Sequence, residues 1–149
     1  MPRDEGTNIT LSPDYVVGFV DGEGCFCVPI TKHQTMVHRK EVRPMFEIEL
    51  REDDRHILEA IQRVLGCGKI YHLRFHRYHK WRPHVKLKVS KMSELQNLLI
   101  PFFDIHPLKA KKRKSFLFFK QIVSMVARKE HLTSKGLQKI MQIRNRMNP

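Results

Sequence analysis

Two carboxylates, Asp21 and Glu23, close the apolar stretch YVVGFVDGEGCF at residues 15–26, and a glycine follows each of them. Carboxylate oxygens are the hard ligands that Mg²⁺ prefers, and phosphate oxygens can fill the positions that a protein leaves open. If a helix ends at such a carboxylate, the pattern predicts a metal site beside a phosphate. The D-G-E-G pattern alone is weak evidence, because acidic glycine turns are common in loops.

The charge of the chain points to a polyanion as its partner. Lys and Arg number 28 against 15 acids, which gives a formal net charge of +13. Residues 60–93 contain no acid but nine Lys or Arg and four His, and residues 105–129, which include KAKKRK at 109–114, contain no acid either. Nucleic acid is the polyanion that best matches this segregation. An anionic membrane surface fits less well, because no segment sustains a basic face against a bulky apolar one.

Size and composition predict one domain over residues 1–149, with residues 1–11 as a flexible N-terminal arm. Hydrophobic residues make up 41% of the chain, which excludes a disordered protein. No apolar run has the length of a membrane span, and the first residues lack the pattern of a signal peptide. An intracellular location is expected, in the cytoplasm or nucleoid, or in an organelle if the host is a eukaryote. Cys25, Cys27 and Cys67 are expected to be free thiols, since no fourth metal ligand stands at a recognisable spacing.

The hydrophobic pattern predicts an α+β fold with two antiparallel hairpins. Alternating residues predict strands within 25–31 and 45–50, and again within 68–76 and 84–90. Helices are expected before, between and after these hairpins. Their boundary signals are Ser12 and Pro13 at the first start, Asp53 or Asp54 and then Gly66 around the second helix, and Thr133 or Ser134 before the last.

Each hairpin places apolar side chains on one face and polar or basic ones on the other. A two-stranded ribbon with such a face fits the major groove of DNA. Glu47 and Glu49 on this face either accept hydrogen bonds from cytosine amino groups or mark a part that does not engage DNA. The side chains expected to contact DNA are Cys27, Thr31, His33, Arg39, Lys40, Glu47, Glu49, Lys69, His72, Arg74, His76, Arg82, His84, Lys86 and Lys88.

The stretch VVGFVDGEG at 16–24 resembles the nine-residue signature of the LAGLIDADG homing endonucleases. Gly18, Asp21 and Gly24 match the signature, and Glu23 is a conservative variant. Further similarity runs through FEIELREDD, LGCGKIY, IHPLKAKKRKSF and LTSKGLQKIMQIRNRMN, and so covers nearly the whole chain from Ser12. The resemblance implies the αββαββα fold of the family, with antiparallel hairpins forming a DNA-binding saddle and extra C-terminal helices.

The resemblance also implies an activity. Family members with one motif per chain are homodimers that cut both strands of a long, near-palindromic DNA site, and many are encoded within introns. Mg²⁺ is the implied cofactor, with Mn²⁺ able to replace it and Ca²⁺ supporting binding without cleavage. The alternative is a protein that binds nucleic acid without cutting it, either an intron RNA maturase or a DNA-binding regulator, so intron RNA stays open as a second partner.

Five residues of the motif helix receive implied roles. Glu23 is the expected metal-binding and catalytic acid, with the Gly22 carbonyl beside it. The motif helices of two chains are expected to cross at the dimer axis through Val17, Gly18, Asp21 and Gly22. In this interpretation Asp21 is structural and closes the end of the helix.

The family's active site also has a lysine and, in many members, a glutamine. Lys112 matches the family lysine, and Lys111 is the alternative because a basic run aligns ambiguously. Leu50 stands where many members carry a glutamine that holds water. Either Glu49 or Arg51 serves in its place, or the water network differs.

Overall fold

The structure, a computed structural model, describes residues 8–32, 40–74 and 83–147. Its elements follow the predicted α+β order, which is confirmed. They are α1 (Pro13–Glu23), β1 (Gly24–Cys27), β2 (Ile30–Lys32), β3 (Lys40–Val42), β4 (Met45–Arg51), α2 (Arg55–Leu65), β5 (Lys69–Leu73), β6 (His84–Val89), α3 (Met92–Glu94), α4 (Ile100–Ile105), α5 (Lys112–Ala127) and α6 (Ser134–Met147). A π-helical turn, Leu95–Leu99, joins α3 to α4 without a break.

The two hairpins form one sheet with the strand order β1-β4-β6-β5, and β2 with β3 makes a separate two-stranded ribbon. All pairs are antiparallel. Phe26, Ile48 and Leu87 on one face of the large sheet are at most 1% exposed. The Phe26 ring lies 5.8 Å from Phe103 and 5.2 Å from Phe119, so the helices cover this face. The opposite face is left open.

The first helix begins where Ser12 and Pro13 predicted it. The Ser12 hydroxyl accepts a hydrogen bond from the Tyr15 amide at 3.2 Å, which satisfies one of the free N–H groups of the first turn. At the other end α1 continues through Gly22 to Glu23, and Gly24 is both its C-cap and the first residue of β1. A Cβ on Gly24 would lie 2.7 Å from Val20 Cγ1. The junction therefore needs glycine for close packing.

The other helix ends also follow from their residues. Asp54 precedes α2, and Gly66 ends it with a φ of 73°. Thr133 caps α6, since its hydroxyl accepts from the Gly136 amide at 3.0 Å. The fifth helix starts at Lys112, earlier than the apolar run at Ser115 indicated.

Part of the predicted N-terminal arm, residues 8–11, contacts the rest of the chain. Residues 1–7 lie outside the described residues. The Ile9 carbonyl accepts a hydrogen bond from Arg63 at 3.1 Å, and Leu11 packs against the core.

In the described part of the chain, no helix is long and apolar enough to cross a membrane.

Candidate active site

Glu23 ends α1 with an exposed side chain. Within residues 8–32, 40–74 and 83–147 its carboxylate has no hydrogen-bond or ion-pair partner. The C-terminal end of a helix carries partial negative charge, and the last turn of α1 contains no basic residue. A carboxylate at this position is therefore electrostatically unfavourable until a cation binds it.

The start of α5 carries the opposite unfavourable charge, cations at the positive end of a helix. Lys112, Arg113 and Lys114 lie in its first turn behind Lys111, with no acid and no side-chain cap. The N-terminal end of a helix carries partial positive charge, so these cations destabilise it. Among the described residues none of them pairs with a carboxylate. An anion such as a phosphate would relieve this repulsion.

Asp21 connects these two helix ends. One of its carboxylate oxygens accepts a hydrogen bond from the Lys109 amide at 3.0 Å, and the other accepts one from the Ala110 amide at 3.2 Å. Asp21 therefore has a structural role, but it fixes the loop before α5 and not only the end of its own helix. The acid at Glu23 and the lysine at Lys112 are thus held at one place.

Cys25 reports the electrostatics of this place. A hydrogen bond with the Cys27 thiol and the nearby charge of Lys112 lower the pKa of the Cys25 thiol to about 6, although partial burial opposes the shift. Glu47 raises the same pKa and Lys86 lowers it. The charges of Lys112, Glu47 and Lys86 therefore all act on Cys25, which lies two residues after Glu23. All three cysteines are free thiols.

The open face of the sheet is densely paired. Cys25, Glu47, Lys88 and Lys69 form one row across the four strands, because each is the register partner of the next. The Lys86 ammonium lies 3.5 Å from Glu47 and 3.8 Å from Glu49, and Glu49 also meets His84 Nδ1 at 3.0 Å. Unlike the cations at the start of α5, Lys86 and His84 already have acidic partners inside the chain.

Most of the predicted DNA contacts that the structure describes lie on exposed or open surfaces. Those on the open face of the large sheet are Cys27, Glu47, Glu49, Lys69, His84, Lys86 and Lys88. Thr31 lies exposed on β2 and Arg74 lies exposed after β5, while the Lys40 ammonium is directed at the Met141 sulfur of α6 (3.7 Å). His33, Arg39, His76 and Arg82 lie outside the described residues.

The sequence pattern assigned His72 to the wrong face of the sheet. Its register partner is Val85, which is fully buried, so His72 stands at the sheet edge on the helix-covered side and binds Glu52 at 3.0 Å. Tyr71, which the sequence analysis passed over, is the β5 residue on the open face, opposite Lys86, and is 46% exposed. Both faces of this exposed edge strand carry polar side chains. The sequence pattern therefore cannot show which face His72 and Tyr71 occupy.

Leu50 is another correction. It pairs with buried Val85 and packs against the core, so its side chain is on the wrong face to stand in for a water-holding glutamine. Glu49 is bound to Lys86 and His84, and Arg51 forms an ion pair with Asp53 at 3.1 Å.

Glu47 is better placed than Glu49 or Arg51 to replace the water-holding glutamine. It is the register partner of Cys25, and Cys25 lies two residues after Glu23. The sequence analysis assigned Glu47 only to DNA contact. The strand alternation already placed it on the open face, but the register with β1 was needed to bring it beside Glu23.

The exposed stripe of α1 consists of Tyr15, Gly18, Phe19 and Gly22. Tyr15 is 45% exposed and stacks on Phe19, and a Cβ added to either glycine would meet nothing within 4 Å. Val17, in contrast, is 4% exposed and packs into the core of its own chain. Its assignment to a dimer interface is therefore wrong.

The described residues contain no group of three or more His, Cys, Asp or Glu that could hold a metal ion. Glu23 and the neighbouring Gly22 carbonyl nevertheless fit a hard cation that takes its remaining ligands from elsewhere. The exposed, unpartnered carboxylate at the negative end of α1 is the observation behind that fit.

Residues 16–123 match the family model for LAGLIDADG endonucleases. The chain belongs to this family. It is 34% identical over 139 residues to the probable intron-encoded endonuclease 2 of Neurospora crassa, an alignment that covers 93% of this chain and 29% of that protein. The chain thus spans less than a third of this relative.

Two solved LAGLIDADG structures extend the comparison. The homing endonuclease I-TnaI has a TM-score of 0.84 at 39% identity, covering 95% of this chain and 90% of that one. The LAGLIDADG homing endonuclease I-LtrWI, bound to target DNA, has a TM-score of 0.87 at 34% identity, covering 99% of this chain but 48% of that one. LAGLIDADG endonucleases depend on divalent metal ions, and α1 is the helix that carries the LAGLIDADG motif here.

Proposed function

We propose that this chain is a Mg²⁺-dependent homing endonuclease that cuts both strands of DNA as a homodimer. The observation that carries the proposal is the exposed Glu23 carboxylate, unpartnered among the described residues, at the end of the LAGLIDADG helix and beside the start of α5. A metal ion needs such an acid, and a phosphate needs such cations. Asp21 links the end of α1, which carries the acid, to the loop before α5, which carries the cations.

Each residue has a distinct task in this proposal. Glu23, with the Gly22 carbonyl, would hold Mg²⁺, which when bound would supply Lewis-acid activation of the phosphate and of a water molecule. Lys112 stabilises the negative charge that develops on the scissile phosphate, supported by the partial positive charge at the start of α5. Water attacks the phosphorus and forms a new P–O bond while the bond to the 3′ oxygen breaks. The water gives up a proton to solvent and the departing 3′ oxygen takes one from solvent, which leaves 5′-phosphate and 3′-hydroxyl ends.

The exposed stripe of α1 supports the homodimer. Small residues allow two helices to approach closely, and Gly18 and Gly22 leave that space open on the surface of the chain. One Glu23 per chain serves one DNA strand, so two chains related by a twofold axis would serve both. The site that they read should then be close to palindromic.

The test begins with selection, because the target is not specified by the chain. Wild-type protein is incubated with Mg²⁺ and a library of duplexes with randomised, inverted-repeat sequence, and cleaved molecules are recovered and sequenced. A single enriched site with staggered ends is the expected result. Binding of that duplex in Ca²⁺ without cleavage, and cleavage restored by Mn²⁺ or Mg²⁺, would complete it. Recovery of no cleaved duplex, or of ends scattered over unrelated sequences, would overturn the proposal.

A further inference from the structure

Helix α5 lacks the local features that usually start a helix. Its N-cap is Lys111, which provides no side-chain acceptor, and its first turn contains no acid. Good N-caps are short polar side chains that accept hydrogen bonds from free backbone N–H groups, and acids in the first turn add favourable charge. The sequence of this segment supplies neither.

A carboxylate distant in sequence instead holds the loop that precedes α5. Asp21 lies 88 residues before Lys109 and uses both carboxylate oxygens on the consecutive amides of Lys109 and Ala110. The Ala110 carbonyl in turn accepts from the Arg113 amide at 3.0 Å, which is the first backbone bond into α5. The loop is thereby tied to α1 immediately before the lysine run begins.

The position of Asp21 on its own helix completes the geometry. It stands two residues before Glu23, and the amides that it binds stand two and three residues before Lys112. One carboxylate therefore fixes the spacing between the candidate metal acid and the candidate lysine. Charged groups that act on one phosphate lose much of their effect when they are displaced by about 1 Å.

We propose that Asp21 is a positioning residue for cleavage, which sets the location of Lys112 relative to Glu23 by binding the 109–110 backbone. This inference rests on the proposed endonuclease function. It predicts that the effect of Asp21 on rate passes through Lys112, whereas a residue that only supports folding would act independently of it.

The test is a double-mutant cycle with Asp21→Asn and Lys112→Met, on the duplex selected by the wild-type protein. Asn keeps the shape but presents an NH₂ group to one of the two amides. Asp21→Asn should slow single-turnover cleavage about 10-fold in the wild-type background and leave the rate of the Lys112→Met protein unchanged. Affinity in Ca²⁺ should stay the same. Equal slowing in both backgrounds would overturn the inference.

Two further variants keep the test decisive. Asp14→Asn changes an exposed acid on the same helix and should leave the cleavage rate at the wild-type level. Ala110→Pro removes one donor while Asp21 stays intact, and should reproduce part of the Asp21→Asn loss.

Hydrogen exchange separates this inference from the proposed function, since it needs no DNA. The Lys109 and Ala110 amides should exchange faster in Asp21→Asn than in wild type or Asp14→Asn. Unchanged exchange would refute the contact itself. If the wild-type protein cuts nothing, the endonuclease proposal fails and the role in cleavage fails with it, while exchange still decides whether Asp21 holds the loop.

Discussion

Helix α6 and the α1–α5 junction arrange their charges in opposite ways. In α6, Thr133 caps the first turn, and Arg144 and Arg146 stand in the last turn, where the helix end is negative. At the junction, Glu23 stands at a negative end and Lys112 at a positive end. Charge in the last turn of α6 thus serves the stability of the helix, whereas charge at the junction opposes it. The difference indicates that the junction is arranged for ligands, a cation at one helix end and a phosphate at the other.

The largest effect should come from Glu23→Gln, which removes the metal-binding charge at nearly constant shape. We expect cleavage of the selected duplex to fall by about 10³-fold or more, the order expected when a Lewis-acid site is lost. The free energy of unfolding should rise by about 0.3–1 kcal/mol, because an anion leaves the negative end of a helix. Single-turnover rates and urea denaturation measure the two quantities. A variant that keeps cutting with Mg²⁺ would rule out Glu23 as the metal acid.

Lys112→Met should come next. Loss of a charge that stabilises the transition state should slow cleavage about 10²-fold. The same change should stabilise the free protein by about 0.3–1 kcal/mol, since it removes a cation from a positive helix end. Lys111→Met and Lys114→Met are the matched controls, expected to stabilise similarly but to cut nearly normally. A larger rate loss in Lys111→Met would move the role by one residue, and equal small losses would make the run a general phosphate-binding patch.

Glycine substitutions test the same comparison through packing. A Cβ on Gly136 of α6 would collide with the backbone carbonyl of Glu130, whereas a Cβ on Gly22 of α1 would meet nothing. Gly136→Ala should lower the free energy of unfolding by about 2 kcal/mol. Gly22→Ala should leave the isolated chain at least as stable as before, because alanine favours the helix, and should weaken its self-association instead. Thermal unfolding and sedimentation distinguish the two outcomes, and a destabilised Gly22→Ala chain would contradict the open surface described here.

The smallest effect should be seen at Arg144. Replacing it with Gln removes a cation from the last turn of α6, where that charge is favourable, and should cost about 0.5 kcal/mol of unfolding free energy. The sign is opposite to that expected for Lys112→Met. Raising the salt concentration should shrink both differences, because both are exposed charges. Two changes of the same sign would remove the contrast between the two regions.

Local signals predicted much of this fold and only part of its site. Ser12, Gly66 and the alternation of β4 and β6 are features of single segments, so the sequence shows them directly. Asp21 binds amides 88 residues away, and no local pattern contains that contact. The same holds for Glu47, whose relation to Glu23 depends on strand register.

The errors arose where two faces look alike in sequence. His72 lies on an edge strand with polar side chains on both faces, so alternation could not choose between them. Val17 follows another valine in a helix, and only the packing shows that both are buried.

If two chains associate through the exposed stripe of Tyr15, Gly18, Phe19 and Gly22, activity depends on the amount of protein. In the proposed homodimer, the cutting species forms by association of two chains. Well below the dimer dissociation constant its concentration varies with the square of the chain concentration, so a tenfold dilution leaves about a hundredfold fewer dimers. Double-strand cleavage would then be negligible at low expression and rise sharply above a threshold level of synthesis.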